Sequence, residues 1–289
     1  MNSQSEMYQG PRDDSFRQCI LFILKLGQLK DKYIDHLLSP RGLELYNQVF
    51  THPSVNTEIN YEALEILGDS TINQCIVWYL HRRFPKLNNP LGVKVIARLK
   101  INLVSKQQFF EFGQQLNLWP FVSAMSDVRQ TKMKPTTEDV FEAFFGATQM
   151  LLDEIQMGLG NMICYRIIKT LFDTIPISLK YTDLYDPVTR LKETVDHYKG
   201  ELGQIVYEDD KDMNRLLTTS KVYRVQYHPT RKCCHCGSNV RDIKHKQYVG
   251  KGVAALKKDA RQKACEDSLR TLQRNGFKKQ IDPYYEGLE

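Results

Sequence analysis

The stretch Tyr61-Glu-Ala-Leu-Glu-Ile-Leu-Gly-Asp-Ser70 sets Glu62, Glu65 and Asp69 at i, i+3 and i+7 of an apolar-patterned segment. On a helix turning about 100° per residue, that spacing lines the three carboxylates along one face. Asp139 and Glu142, in Thr137-Glu-Asp-Val-Phe-Glu-Ala-Phe-Phe-Gly146, repeat the i, i+3 spacing inside a second apolar stretch that predicts a buried helix. Carboxylates stacked beside a hydrophobic core repel one another and resist desolvation, so they need either strong exposure to water or a compensating cation. Hard divalent ions held by oxygen suit that need. Solvated glutamates on amphipathic helices are the plainer reading, and the repeated spacing among Leu, Ile, Val and Phe weighs against it.

The run Glu62-Ala-Leu-Glu65-Ile-Leu-Gly-Asp69-Ser70 resembles the signature of the ribonuclease III family, and Asp139-Val-Phe-Glu142-Ala-Phe-Phe-Gly146 resembles its second acidic motif. Phe50-Thr-His-Pro-Ser54 is similar to the segment preceding the signature, and Ala97-Arg-Leu-Lys-Ile-Asn-Leu-Val-Ser105 to the helix linking the two motifs. Together they span about residues 40 to 172. The resemblance implies a mostly α endonuclease domain that hydrolyses double-stranded RNA to 5′-phosphate and 3′-hydroxyl ends. It implies that Glu65, Asp69, Asp139 and Glu142 gather magnesium, or manganese in its place, with Glu62 assisting from the rim. It also implies a homodimer with the signature helix at the two-fold contact, through residues such as Ile66 and Gly68. Thr137 and Glu138 depart from the apolar and small residues usual before the second acidic pair, and Glu138 adds a carboxylate there.

A chain of 289 residues has room for two domains. With 42% hydrophobic and 26% charged residues it has the composition of a soluble protein. No run approaches the length of a membrane span, and the polar start Met1 to Asp14 is unlike a leader, so the expectation is a soluble, intracellular protein, cytoplasmic rather than organellar. Seven cysteines, an odd number, suggest reduced thiols rather than a disulfide framework. From Tyr185 to Gly276 there are 19 Lys and Arg against 12 Asp and Glu, and the remainder holds 21 against 22. The excess positive charge therefore lies in the C-terminal third, the mark of a module that grips a polyanion.

Residues 1–15 read as a flexible tail, 16–172 as the endonuclease domain, and 173–185, broken by Pro176, as a linker. Asp186-Pro187 then opens a helix with an N-cap and a proline at its first position, and strand-like runs follow at 203–207, 221–227 and 246–250. A basic helix starts after Gly250-Lys-Gly252. This α-β-β-β-α order over residues 186–276 resembles the double-stranded-RNA-binding domain, leaving 277–289 as a tail. Lys192, Lys257, Lys258, Arg261 and Lys263 are the candidate RNA contacts; cations at a helix start suit phosphates bordering the narrow major groove of A-form RNA. Three departures qualify the likeness. Lys192 replaces a common glutamine, the loop read at 209–220 lacks the usual histidine, and two extra residues within Val253–Leu256 precede the lysine pair.

An insertion, Arg231-Lys-Cys233-Cys234-His235-Cys236, with His228 and His245 nearby, brings three thiols and three imidazoles within eighteen residues. Zinc is one reading. The spacing has no clean pair of two-residue-spaced cysteines, so a reduced, basic, flexible loop is the preferred one. His52 reads as a hydrogen-bonded packing residue, His36, His81 and His197 as solvated surface, and Phe109, Phe110 and Trp119 as core. The competing function is a non-catalytic double-stranded-RNA-binding protein on the same scaffold, ribosome-associated or sequestering RNA against silencing. Retention of all five acids favours an enzyme.

Overall fold

The computed structural model describes residues 6–228, 231–232, 239–240 and 242–288, and divides into two compact units, Met1–Ile177 and Ser178–Glu289.

The first unit is helical: α1 (Asp14–Leu26), α2 (Asp31–Leu37), α3 (Pro40–Val49), α4 (Glu62–Arg83), α5 (Val93–Leu103), α6 (Lys106–Gln115), α7 (Ser126–Thr131), α8 (Met133–Asp153) and α9 (Leu159–Phe172). The two acidic motifs lie on its two longest helices. The Asn60 side chain accepts from Glu62 N–H at the start of α4, Glu62 and Glu65 occupy the first turn, and His81, Arg82 and Arg83 the last, so charge complements the helix dipole at both ends. Helices α4 and α8 cross with almost no side chain between them at two points. A Cβ on Gly68 would overlap the Glu142 carbonyl oxygen, and one on Gly146 would overlap that of Leu64. Gly68, expected at a dimer contact, is thus buried inside the chain, and the close approach it permits is between α4 and α8. Behind the crossing, Tyr46 stacks on Phe144 at 5.1 Å and shares a 2.9 Å hydrogen bond with Thr148, while Phe109, Phe112 and Phe145 surround Phe141. Phe110 and Trp119 are only half-buried, with Lys134 and Arg129 over their rings, because both sit where the helical shell meets water.

Within the N-terminal segment read as a tail, residues 7–12 are anchored. β1 (Met7–Tyr8) pairs antiparallel with β2 (Ala124–Met125), and Tyr8 Oη donates to the Pro120 carbonyl at 2.9 Å. The Arg12 guanidinium threads inward to donate to the carbonyls of Gly10, Pro11, Phe121 and Phe50, and burial lowers its pKa to about 10. A short segment with this many long-range backbone partners has somewhere to put its polar groups, which a composition-based reading does not register.

The second unit holds α10 (Tyr181–Leu184), α11 (Pro187–His197), α12 (Lys199–Leu202), β3 (Gln204–Asp212), β4 (Leu217–Tyr227), the two-residue pair β5 (Arg231–Lys232) and β6 (Asn239–Val240), β7 (Ile243–Ala254), α13 (Lys257–Arg274) and α14 (Pro283–Glu286). Asp186 caps α11 by accepting from Val188 and Thr189 N–H at 3.0 Å. The sheet is antiparallel in the order β3-β4-β7, and Leu191, Val195, Val222, Val249, Ala264 and Leu272 pack together between it and the helices. The strands are longer than the sequence suggests. The loop expected at 209–220 is a four-residue turn, Met213–Leu216, in which Asp212 Oδ1 accepts from the N–H of Asn214 and Arg215 and Leu216 takes φ +51°. The C-terminal residues read as a tail also fold back. Tyr285 Oη lies 2.8 Å from Tyr185 Oη, Tyr198 Oη donates to the Lys278 carbonyl, and Leu288 is buried.

Candidate active site

The α4–α8 crossing puts three carboxylates at one point. Oxygens of Glu65, Asp139 and Glu142 all lie within 4.8 Å of one another, two residues coming from α8 and one from α4. Asp69, one turn beyond Glu65, is exposed and accepts from Asn73 Nδ2 at 2.8 Å, yet it lies near enough to be the strongest charged influence on Glu142. Glu62 is exposed and acts through space on Glu65 and Asp139. The five acids named from sequence therefore occupy one region, with three in mutual reach and two at its edge.

Their electrostatics are those of acids short of a counter-charge. Burial, then Asp69 and Glu65, push the Glu142 carboxyl up to about 8. Burial and Asp139 push Glu65 up to about 7. Asp139 is also raised, chiefly by burial, although Tyr61 Oη donates to its Oδ2 at 3.1 Å and opposes the shift. Burial and like charge thus both favour the protonated forms of these three acids, and a bound cation would favour the ionised ones.

Two residues here were not assigned by sequence reasoning. Tyr61 lies inside the quoted stretch but carries no signal of its role. Lys106 sits at the start of α6, after the Ser105 cap, and its Nζ lies 3.0 Å from Glu138 Oε1. Glu138 is only 4% exposed, so the extra carboxylate turns away from water toward this lysine. Nothing in the spacing of residues 106 and 138 could have announced the pair. Thr137, the other departure, packs its methyl against Gly113 on α6 and bonds the Met133 carbonyl at 2.7 Å.

The histidines divide. His52 Nδ1 accepts from the Ser54 N–H at 2.9 Å, and His81 and His197 are exposed beside aromatic rings. His36, expected on the surface, is half-buried with Nε2 3.1 Å from the Leu151 carbonyl, because α2 packs on α8.

In the second unit Lys192 is exposed and lines a 400 Å³ groove with Lys199 beside β3. Lys257 and Arg261 are both bonded to Asp209, at 3.0 and 2.5 Å. Lys258 is exposed with no ion-pair partner among the described residues, and Lys263 Nζ reaches the Val253 carbonyl at 3.3 Å. Cys233, Cys234, His235 and Cys236 lie outside the described residues; His228 and His245 are within them, and no metal-binding cluster includes either among the described residues.

The chain thus has a helical unit with an all-oxygen carboxylate cluster and a basic α/β unit. The ribonuclease III domain profile matches residues 62–151, a span that opens at the first residue of α4 and closes near the end of α8. A protein of Invertebrate iridescent virus 6 named "Putative ribonuclease 3" is 39% identical over 281 residues, covering 93% of this chain and 90% of its own. One of the same name from Frog virus 3 is 37% identical and covers 88% of this chain, which spans 62% of that protein's length. Among solved structures, the nuclease domain of a ribonuclease III from Campylobacter jejuni is 23% identical with a TM-score of 0.41, covering 56% of this chain and 97% of its own. The chain belongs to the ribonuclease III family of endonucleases. No helix of the described residues is long and apolar enough to cross a membrane.

Proposed function

We propose that this protein cuts double-stranded RNA by divalent-metal-dependent hydrolysis, leaving 5′-phosphate and 3′-hydroxyl ends, and works as a homodimer. The observation that carries the reading is the meeting of Glu65, Asp139 and Glu142 within 4.8 Å from two different helices. The donor set is entirely carboxylate oxygen, which suits magnesium or manganese and not a thiol-seeking metal. Bound there, such an ion supplies positive charge that acidifies a water and offsets the charge developing on the phosphodiester.

The chain's own residues do the rest. Glu65, Asp139 and Glu142 form the cradle, and Asp69 closes it from the next turn of α4. The Tyr61 hydroxyl donates to Asp139 Oδ2 and so holds that carboxylate in place. Glu62 steadies the rim. Ile66, 73% exposed on the same helix, is the apolar residue we assign to the contact between two copies. Residues 16–172 are the endonuclease domain on this reading. Residues 186–276 are a double-stranded-RNA-binding domain, whose order of elements and basic α13 support gripping RNA by charge and shape.

The test incubates long duplex RNA with the purified protein and magnesium, beside an Asp139→Asn, Glu142→Gln double variant. Metal-dependent cutting by the wild type and none by the variant is the expected result. Binding without cutting by the wild type would move the protein to the non-catalytic reading.

A further inference from the structure

Along β3, Ile205 and Tyr207 face the helices and pack against the core of the second unit. The alternation of a strand brings Asp209 to the same face, where an apolar residue would ordinarily sit. A carboxylate only 13% exposed requires partners. It finds them on α13. Arg261 donates to both of its oxygens, through Nε at 3.3 and 3.2 Å and Nη2 at 2.5 Å, and Lys257 Nζ lies 3.0 Å away. The Arg261 guanidinium also lies over the Tyr207 ring at 4.9 Å, so its plane is fixed from a second side. Lys257 and Arg261 are one helical turn apart, which lets a single carboxylate engage both.

These are two of the cations that the basic helix would offer to RNA. We propose that Asp209 is an internal counter-ion that withdraws Lys257 and Arg261 from the RNA backbone and leaves the phosphate contacts of α13 to Lys258 and Lys263. The proposal rests on the reading of the second unit as an RNA-binding domain. A phosphate approaching Arg261 meets a guanidinium that already gives its Nε hydrogen and one Nη2 hydrogen to a carboxylate, with the negative charge of that carboxylate behind it. Lys258, exposed and unpaired among the described residues, has neither handicap. Asp209 is thus a positioning residue that sets how many phosphates the domain neutralises.

The experiment uses the full chain without divalent metal, so that no cutting occurs, and a duplex of about 16 base pairs, the span of one such domain. Affinity is measured against salt for the wild type, Asp209→Asn, Arg261→Gln, the Asp209→Asn, Arg261→Gln double variant, and a Lys258→Ala, Lys263→Ala variant. Asp209→Asn should bind about tenfold tighter with a log–log salt slope steeper by about 1, because a further phosphate contact becomes available. Arg261→Gln should change wild-type affinity less than about twofold but cost about fivefold in the Asp209→Asn background, the non-additivity of coupled neighbours. Weaker or unchanged binding by Asp209→Asn, with circular dichroism and melting intact, would overturn the proposal. If Asp209→Asn fails to fold, the Arg261→Gln variant decides alone, since a large loss from it in the otherwise wild-type chain shows that Arg261 holds RNA. Unchanged binding by the Lys258→Ala, Lys263→Ala variant with a large loss from Arg261→Gln would overturn the proposal, whereas unchanged binding by every variant would remove α13 from the RNA surface, a failure of the domain reading.

Discussion

The acidic pocket of the first unit and the basic helix of the second solve opposite charge problems in opposite ways. At the α4–α8 crossing, Glu65, Asp139 and Glu142 crowd together, and the Lys106 ammonium that acts on two of them is itself bonded to Glu138. On α13, Lys257 and Arg261 come with their own carboxylate, Asp209. One site is left in deficit and the other is partly neutralised from within. A deficit that burial makes costly is relieved by any ligand of the right charge, so the first unit should respond to metal far more steeply than the second responds to RNA.

The largest effect tests that deficit directly. Glu142→Gln removes a ligand and a negative charge at the centre of the cradle, and should lower the single-turnover cleavage rate by about a thousandfold or more, roughly 4 kcal/mol of barrier, with duplex binding unchanged. Ordinary cleavage by this variant would mean that the three carboxylates do not act together. Next in size is Gly68→Ala. Its Cβ would overlap the Glu142 carbonyl oxygen, so α4 and α8 must part, and urea unfolding should show a loss of about 3 kcal/mol or more. A mild effect would show that the cradle tolerates separation of its two walls.

The pH response sharpens the same contrast. Glu65 and Glu142 have carboxyls raised to about 7 and about 8 in the folded chain from an ordinary 4.5. Between about 4.5 and 8 the folded state therefore holds more protons than the unfolded one, and stability of the metal-free protein must fall as pH rises through that window. Melting followed in a chelator from pH 5 to 8 should show the decline, and magnesium should reverse it most at the alkaline end. At limiting magnesium, cleavage should rise with pH through 7 to 8, and the midpoint should move to lower pH as magnesium is increased. A melting temperature that climbs with pH in the chelator would contradict the raised carboxyls.

Much of the pocket was legible in the chain because its spacing is local. Carboxylates at i, i+3 on apolar helices declare a shared face, and the order of elements in the second unit follows from its caps, prolines and alternation. What was not legible depends on contacts between distant residues. Gly68 reads as a residue for close approach, but only the crossing shows that the backbone it meets within the chain is that of α8. The N- and C-terminal segments look unstructured by composition, yet Arg12 and Tyr285 tie them down through partners far away in sequence. Strand β3 runs on through Glu208-Asp-Asp-Lys-Asp212, a charged run with no strand signature, because β4 pairs with it residue by residue and Asp209 finds cations on α13.

The smallest expected effect concerns Lys106, an ammonium that acts on both Glu65 and Asp139. Glu138 is buried beside Asp139, and Lys106 is its ion-pair partner. Lys106→Met removes a positive charge that opposes metal entry and leaves the Glu138 carboxylate uncompensated, so both changes make the pocket more negative. At pH 9, where Glu65 and Glu142 are ionised, half-saturating magnesium should fall by about threefold, equivalent to about 0.6 kcal/mol. The Lys106→Met, Glu138→Gln double variant restores the net charge and should return magnesium affinity to that of the wild type. If Lys106 instead contacts RNA, both variants will lose cleavage through a raised KM with magnesium affinity unmoved. The double variant separates the two roles because it restores charge balance without restoring the ammonium.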